Sequence, residues 1–159
     1  MNLLLSSPTW LLLLLGALLL AAAAEDAVRL RISNLTTIGV LVGAVVAATF
    51  AGGSLSLWQN VAVLVALLAA GTVLFGMGKM GGGDVKLLAA VGAWVDFRGA
   101  LGLFACIFIA GGVLALLIIG ARTFGKSSRL AVMQKGSGIP YGIAIAVGTA
   151  IYITLGRSV

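Results

Sequence analysis

Apolar residues run along this chain in six blocks, separated by short breaks of polar residues and glycine. The blocks are Leu3 to Ala24, about Leu35 to Ala51, about Leu57 to Phe75, a short one from Asp84 to about Val95, about Ala100 to Gly120, and about Pro140 to Leu155. A helix needs roughly 20 apolar residues to cross a bilayer, and these blocks approach or reach that length. The breaks carry stop signals: Gly52-Gly53-Ser54 after the second block and Gly76-Met77-Gly78-Lys79 after the third. Pro140 suits a first helical turn, where a missing N–H costs nothing. The pattern predicts an all-α integral membrane protein with six transmembrane helices. Residues 1–159 form a single polytopic domain, with no second composition regime along the chain.

Composition agrees with the pattern. Of 159 residues, 62% are hydrophobic and 9% charged, too little charge to cover a soluble domain of this size. The net charge of +6 raises nucleic acid as a partner, but the placement of the charges argues for membrane lipid instead. With the N-terminus outside, the inner loops hold Arg29, Arg31, Lys79, Lys86, Arg122, Lys126, Arg129 and Lys135, and the outer side holds Arg98 and Arg157. That asymmetry puts both termini outside, following the positive-inside rule. Anionic headgroups then account for the basic loop from Arg122 to Lys135. Trp10, Trp58 and Trp94 fall toward outer helix ends, as an interfacial belt would place them. The first block also resembles a secretory signal, but it lacks a basic start and has Arg29 and Arg31 after it, so a retained spanning helix is expected. There is no histidine, and the single cysteine, Cys106, lies in an apolar run as a packing residue. Gly43, Gly111, Gly112 and Gly142 permit close helix packing. No metal site and no cofactor are expected.

Acid chemistry falls to four residues: Glu25, Asp26, Asp84 and Asp96. The topology puts Asp26, at the end of the first block, and Asp84, at the start of the fourth, on the same inner face. Asp96 lies on the outer face beside Arg98. Glu25 neighbours Asp26 but points roughly 100° away around a helix. The sharper reading of Asp26 and Asp84 is a catalytic dyad. Two carboxyls held close cannot both ionise cheaply, so one keeps a proton while the other takes a proton from water. The plainer readings are a helix cap for Asp84 and a solvated charge beside Arg29 for Asp26. The glycines Gly81, Gly82 and Gly83 deny that stretch a regular helix and let other backbone come close.

At these residues the chain resembles the type IV prepilin peptidases, membrane aspartyl proteases with a Gly-x-Gly-Asp motif. Gly81-Gly82-Gly83-Asp84-Val85-Lys86-Leu87 is similar to the second catalytic stretch of that family. Asp26 followed by Arg29, Arg31 and Ile32-Ser33-Asn34 is similar to the first, which has an aspartate, basic residues and Ile-Pro-Asn. Pro140-Tyr141-Gly142 before an apolar helix resembles the last segment. Ser33 stands where the family usually has proline, and Ala27 where a larger residue is common. The chain lacks the cysteine-paired cytoplasmic insertion of the larger members and resembles the short, TadV/CpaA-like form.

The resemblance implies an aspartic endopeptidase that removes the short cytoplasmic leader of a prepilin or pilin-like protein, in support of a type IV pilus or protein secretion. It makes Asp26 and Asp84 the catalytic residues, with Gly81, Gly83 and Lys86 supporting the motif, and no cofactor. It implies a multi-pass protein of a bacterial-type inner membrane with its active site at the cytoplasmic face. Lys79 and Lys86 otherwise read as topology anchors, Lys86 being the one within the motif. The alternative is a non-enzymatic membrane subunit or small proton-coupled transporter with Asp84 as its proton-binding carboxyl. A presenilin-like intramembrane protease is disfavoured because its companion motifs are missing.

Overall fold

The computed structural model describes residues 1–52, 57–124 and 141–158, and every element among them is an α-helix. In chain order these are α1 (Leu3–Ser6), α2 (Thr9–Arg29), α3 (Asn34–Phe50), α4 (Leu57–Gly76), α5 (Gly82–Gly92), α6 (Phe97–Phe124) and α7 (Tyr141–Ser158). Three of them, α2, α4 and α6, are long and apolar enough to cross a membrane, and α3 is apolar at 17 residues. Their outer faces present large apolar side chains to the surroundings: Leu13, Leu20, Leu101, Phe108 and Leu116 are all at least 70% exposed. A soluble protein does not leave such surface in water, and lipid is its natural solvent. The chain is therefore a helical membrane protein.

The helix boundaries follow from local chemistry. The first apolar block is not one helix. Pro8 has no N–H and holds the preceding residue extended, so Ser7 (φ −72°, ψ 150°) ends α1 and α2 restarts at Thr9. At its other end α2 stops on Leu30 in the left-handed region (φ 51°), its N–H bonded to the Asp26 carbonyl at 2.9 Å. Ser33 then caps α3, its Oγ accepting from the Leu35 N–H at 3.1 Å. α4 closes on Gly78, whose positive φ of 69° turns the chain toward α5. Pro140 and most of the basic loop, Lys126 to Lys135, lie outside the described residues.

The fourth block becomes α5, a helix of 11 residues that extends about 16 Å and cannot cross a membrane alone. It is central. α3, α4 and α7 pack around it, and Val85, Leu87, Ala89, Ala90 and Val91 are buried. The glycines before Asp84 do not break the helix as the sequence reading expected. Gly82 and Gly83 are its first two residues, and the Val85 N–H already bonds the Gly81 carbonyl at 3.1 Å. Beyond the far end of α5 sits α1. The Leu3 and Leu4 N–H groups both point at the Trp94 carbonyl (2.7 and 3.3 Å), and both side chains are fully buried. The short α1 thus fills the space that the short α5 leaves.

Trp94 corrects another expectation. It is buried, not interfacial. Its indole N–H donates to the Val40 carbonyl at 3.1 Å, and its ring passes over Gly43, where a Cβ would stand 2.9 Å from it. Trp10 and Trp58 are exposed and make edge contacts with Phe50 and Phe97. Gly148 packs directly on the Ile107 backbone, which lets α7 and α6 approach closely.

Candidate active site

Asp26 and Asp84 arrive from opposite kinds of helix end. Asp26 is in the last turn of α2, and Asp84 is the third residue of α5. The chain reversals that end α2 and start α5 bring both to one cavity of about 300 Å³, lined also by Leu30, Arg31, Ile32, Asn34, Gly81, Gly83 and Lys86. Both side chains are nearly inaccessible, at 3% and 8% exposure. Buried carboxyls this rare need local partners to be tolerable.

The partners are backbone amides. The Gly142 N–H, free because it lies in the first turn of α7, donates to Asp26 Oδ2 at 2.7 Å. The same amide also faces the Asp84 carboxyl, as does the Gly81 amide. The Gly81 interaction is that of a third helical residue reaching back to its cap. Asp84 is thus not the cap itself; Gly81 is. Two carboxyls buried in one cavity are costly to ionise together. The Asp84 Oδ1 is buried and has no hydrogen-bond partner among the described residues.

The glycines of the motif now have steric reasons. A Cβ on Gly81 would stand 2.7 Å from Asp84 Oδ2, and one on Gly142 would stand 2.9 Å from Asp26 Oδ2. A Cβ on Gly83 would meet Ile32, 3.2 Å from its backbone N and 3.1 Å from its Cβ. Each of these positions lets a carboxyl or the turn beside it come within van der Waals reach. Lys86 lines the cavity, and its ammonium donates to Asn34 Oδ1 at 3.0 Å, tying α5 to the start of α3. Lys79 borders a different, apolar cleft beside α6 and α7.

The other two acids are elsewhere. Asp96 accepts from the Gly99 N–H at 2.8 Å and lies 3.4 Å from the Met1 ammonium. Partial burial raises its carboxyl, but the Gly99 amide and the ammonium outweigh that and hold it below the ordinary range. Arg98 is not its partner in these contacts. Glu25 does not line the cavity; it accepts from the Ser33 N–H at 2.8 Å. Sequence reasoning missed Gly142 as a donor and read it only as a packing residue. The signal was its position two residues after Pro140, where a first helical turn has free N–H groups.

Comparison with curated proteins and with solved structures gave no match. A family model described as the type IV leader peptidase family matches residues 13–116, well over half of the chain and inclusive of Asp26, the glycine run and Asp84. The chain belongs to the type IV leader peptidase family.

Proposed function

We propose that this protein is an aspartic endopeptidase that removes the short leader of a prepilin or pilin-like protein, with Asp26 and Asp84 as its catalytic pair. The observation that carries the reading is the shared cavity in which both buried carboxyls meet the Gly142 amide. Family membership supports a peptidase, and among the described residues the cavity is lined by no other carboxyl.

The roles follow from the hydrogen bonds. Asp26 Oδ2 accepts from an amide, which suits a carboxylate. Asp84, whose Oδ1 has no hydrogen-bond partner among the described residues, holds the one proton that the pair shares. A water between them gives a proton to Asp26 as its oxygen attacks the scissile carbonyl carbon. The Asp84 proton passes to the carbonyl oxygen, giving a neutral gem-diol. In collapse, the C–N bond breaks, Asp26 returns its proton to the leaving amine, and one diol hydroxyl returns a proton to Asp84. The pair ends as it began, and its two protonation steps belong to the dyad as a unit.

In the same reading the chain is one polytopic domain with six crossings in a bacterial-type inner membrane. Both termini are outside and the carboxyl cavity is at the cytoplasmic face. α5 makes the thin crossing and α1 fills the outer leaflet beside it. The substrate's leader lies in the cytoplasm and its apolar helix in the lipid, so the bond to be cut meets the cavity at the membrane surface. Lipid is the other partner, and nucleic acid has no part. Type IV pilus assembly or protein secretion is the setting.

The test is co-expression with a prepilin from the same genome, with leader loss followed by gel shift. Asp26→Asn and Asp84→Asn each abolish processing while the protein stays in the membrane, and Asp96→Asn is tolerated. Continued processing by both dyad variants would refute the aspartic mechanism. Proton flux that depends on Asp84, with no pilin cut, would establish the transporter alternative.

A further inference from the structure

Glu25 lies outside the carboxyl cavity, yet its side chain crosses the turn between α2 and α3. Its Oε2 accepts from the Ser33 N–H at 2.8 Å and from the Thr36 hydroxyl at 3.4 Å. The turn that this bond closes, residues 30–33, is strained and crowded. Leu30 has a left-handed backbone, which a leucine seldom adopts. Ile32 sits against both glycines that serve the carboxyls. Its backbone N and O lie 3.2 and 3.4 Å from a Cβ built on Gly83, and its Cδ1 lies 3.1 Å from one built on Gly142. Gly83 precedes Asp84 in α5, and Gly142 donates to Asp26. Ile32 is therefore the spacer between the segments that seat the two carboxyls.

Ser33 holds φ −65° and ψ 139°, and a proline ring would impose that φ by itself. Serine has no such constraint, and its N–H is available as a donor. A carboxylate bonded to that amide supplies the restraint that the ring would have given. The Glu25 carboxylate and the Ser33 amide form one fastening, with a covalent alternative at the same position.

We propose that Glu25 is a positioning residue of the Asp26/Asp84 pair: through the Ser33 amide it fixes the turn that holds Ile32 between Gly83 and Gly142, and so sets the separation of the two carboxyls. The proposal rests on the aspartic peptidase reading above. Glu25 touches neither the substrate nor the reacting atoms. Its contribution is geometric, and misplacement of a catalytic group by about 1 Å can cost about 100-fold in rate.

The test uses the full-length chain in detergent micelles with a prepilin from the same genome as substrate, reading kcat and KM separately. Glu25→Ala lowers kcat by about 10- to 100-fold and leaves KM within about twofold. Glu25→Gln keeps an amide oxygen able to accept from Ser33 and stays within about threefold of the parent. Ser33→Pro alone loses the Oγ cap on the Leu35 N–H and serves as the reference; in that background, where the ring holds φ, adding Glu25→Ala lowers kcat by no more than about twofold, so that the two changes are strongly non-additive. Any of three results overturns the proposal: Glu25→Ala with unchanged kcat, Glu25→Gln as slow as Glu25→Ala, or Glu25→Ala as costly in the Ser33→Pro background as in the parent. If Glu25→Ala does not fold, Glu25→Gln and the double variant decide the question. Asp26→Asn and Asp84→Asn run in the same assay; activity in those variants sinks the dyad reading itself, which separates its failure from that of Glu25.

Discussion

The backbone N–H of Gly142 donates to Asp26 Oδ2 at 2.7 Å, across 116 residues of sequence. This one bond ties the start of α7 to the end of α2. It also gives a buried carboxylate the partner it needs, at a helix N-terminus where negative charge is favoured. The absence of a side chain at 142 is what permits it. A Cβ there would stand 2.9 Å from the same oxygen and 3.1 Å from Ile32 Cδ1. Gly142→Ala therefore displaces Asp26, and leader cleavage falls by at least about tenfold. The check is the initial rate of leader loss at matched amounts of membrane-inserted protein.

The glycine three residues before Asp84 obeys the same logic. A Cβ on Gly81 would lie 2.7 Å from Asp84 Oδ2 and would close the cap to which that carboxyl reaches back. Gly81→Ala slows cleavage by at least about tenfold. Gly16, in the middle of α2, has nothing within 4 Å of its Cβ position, and alanine suits a helix interior better than glycine by roughly 0.5–1 kcal/mol. Gly16→Ala leaves the rate unchanged and does not lower stability. Equal losses in the two variants would remove the steric argument.

Much of this arrangement was legible in the sequence because few groups compete for the chemistry. With four acids and a one-sided charge pattern, the topology alone put Asp26 and Asp84 on one face and Asp96 on the other, and the cavity contains the first two without the third. Lys86 was separable from Lys79 by its place in the motif, and it lines the cavity where Lys79 does not. What the sequence hid was tertiary. A free amide at Gly142 has no signature apart from the helix start before it. Helical periodicity turns Glu25 away from Asp26, and the same periodicity aims it at the next turn. Pro8 is inconspicuous in the sequence because leucines on both sides of it continue the apolar run.

Trp94 is the clearest case of composition outrunning structure, and it yields a prediction about stability alone. A tryptophan near a helix end in a membrane protein reads as an interfacial anchor. Here the ring needs Gly43 beneath it, the indole N–H needs the Val40 carbonyl, and its own carbonyl receives α1. Trp94→Phe loses one hydrogen bond and some packing, at a cost of roughly 1 kcal/mol. Trp94→Ala empties a fully buried site at a cost of roughly 3–5 kcal/mol. Ten residues separate Trp94 from Asp84, or about 15 Å along the helix, so the carboxyl cavity keeps its geometry in the milder variant. Trp94→Phe accordingly lowers the unfolding temperature while kcat per folded molecule is unchanged. A fall in kcat without a fall in stability would mean that the far end of α5 sets the position of Asp84.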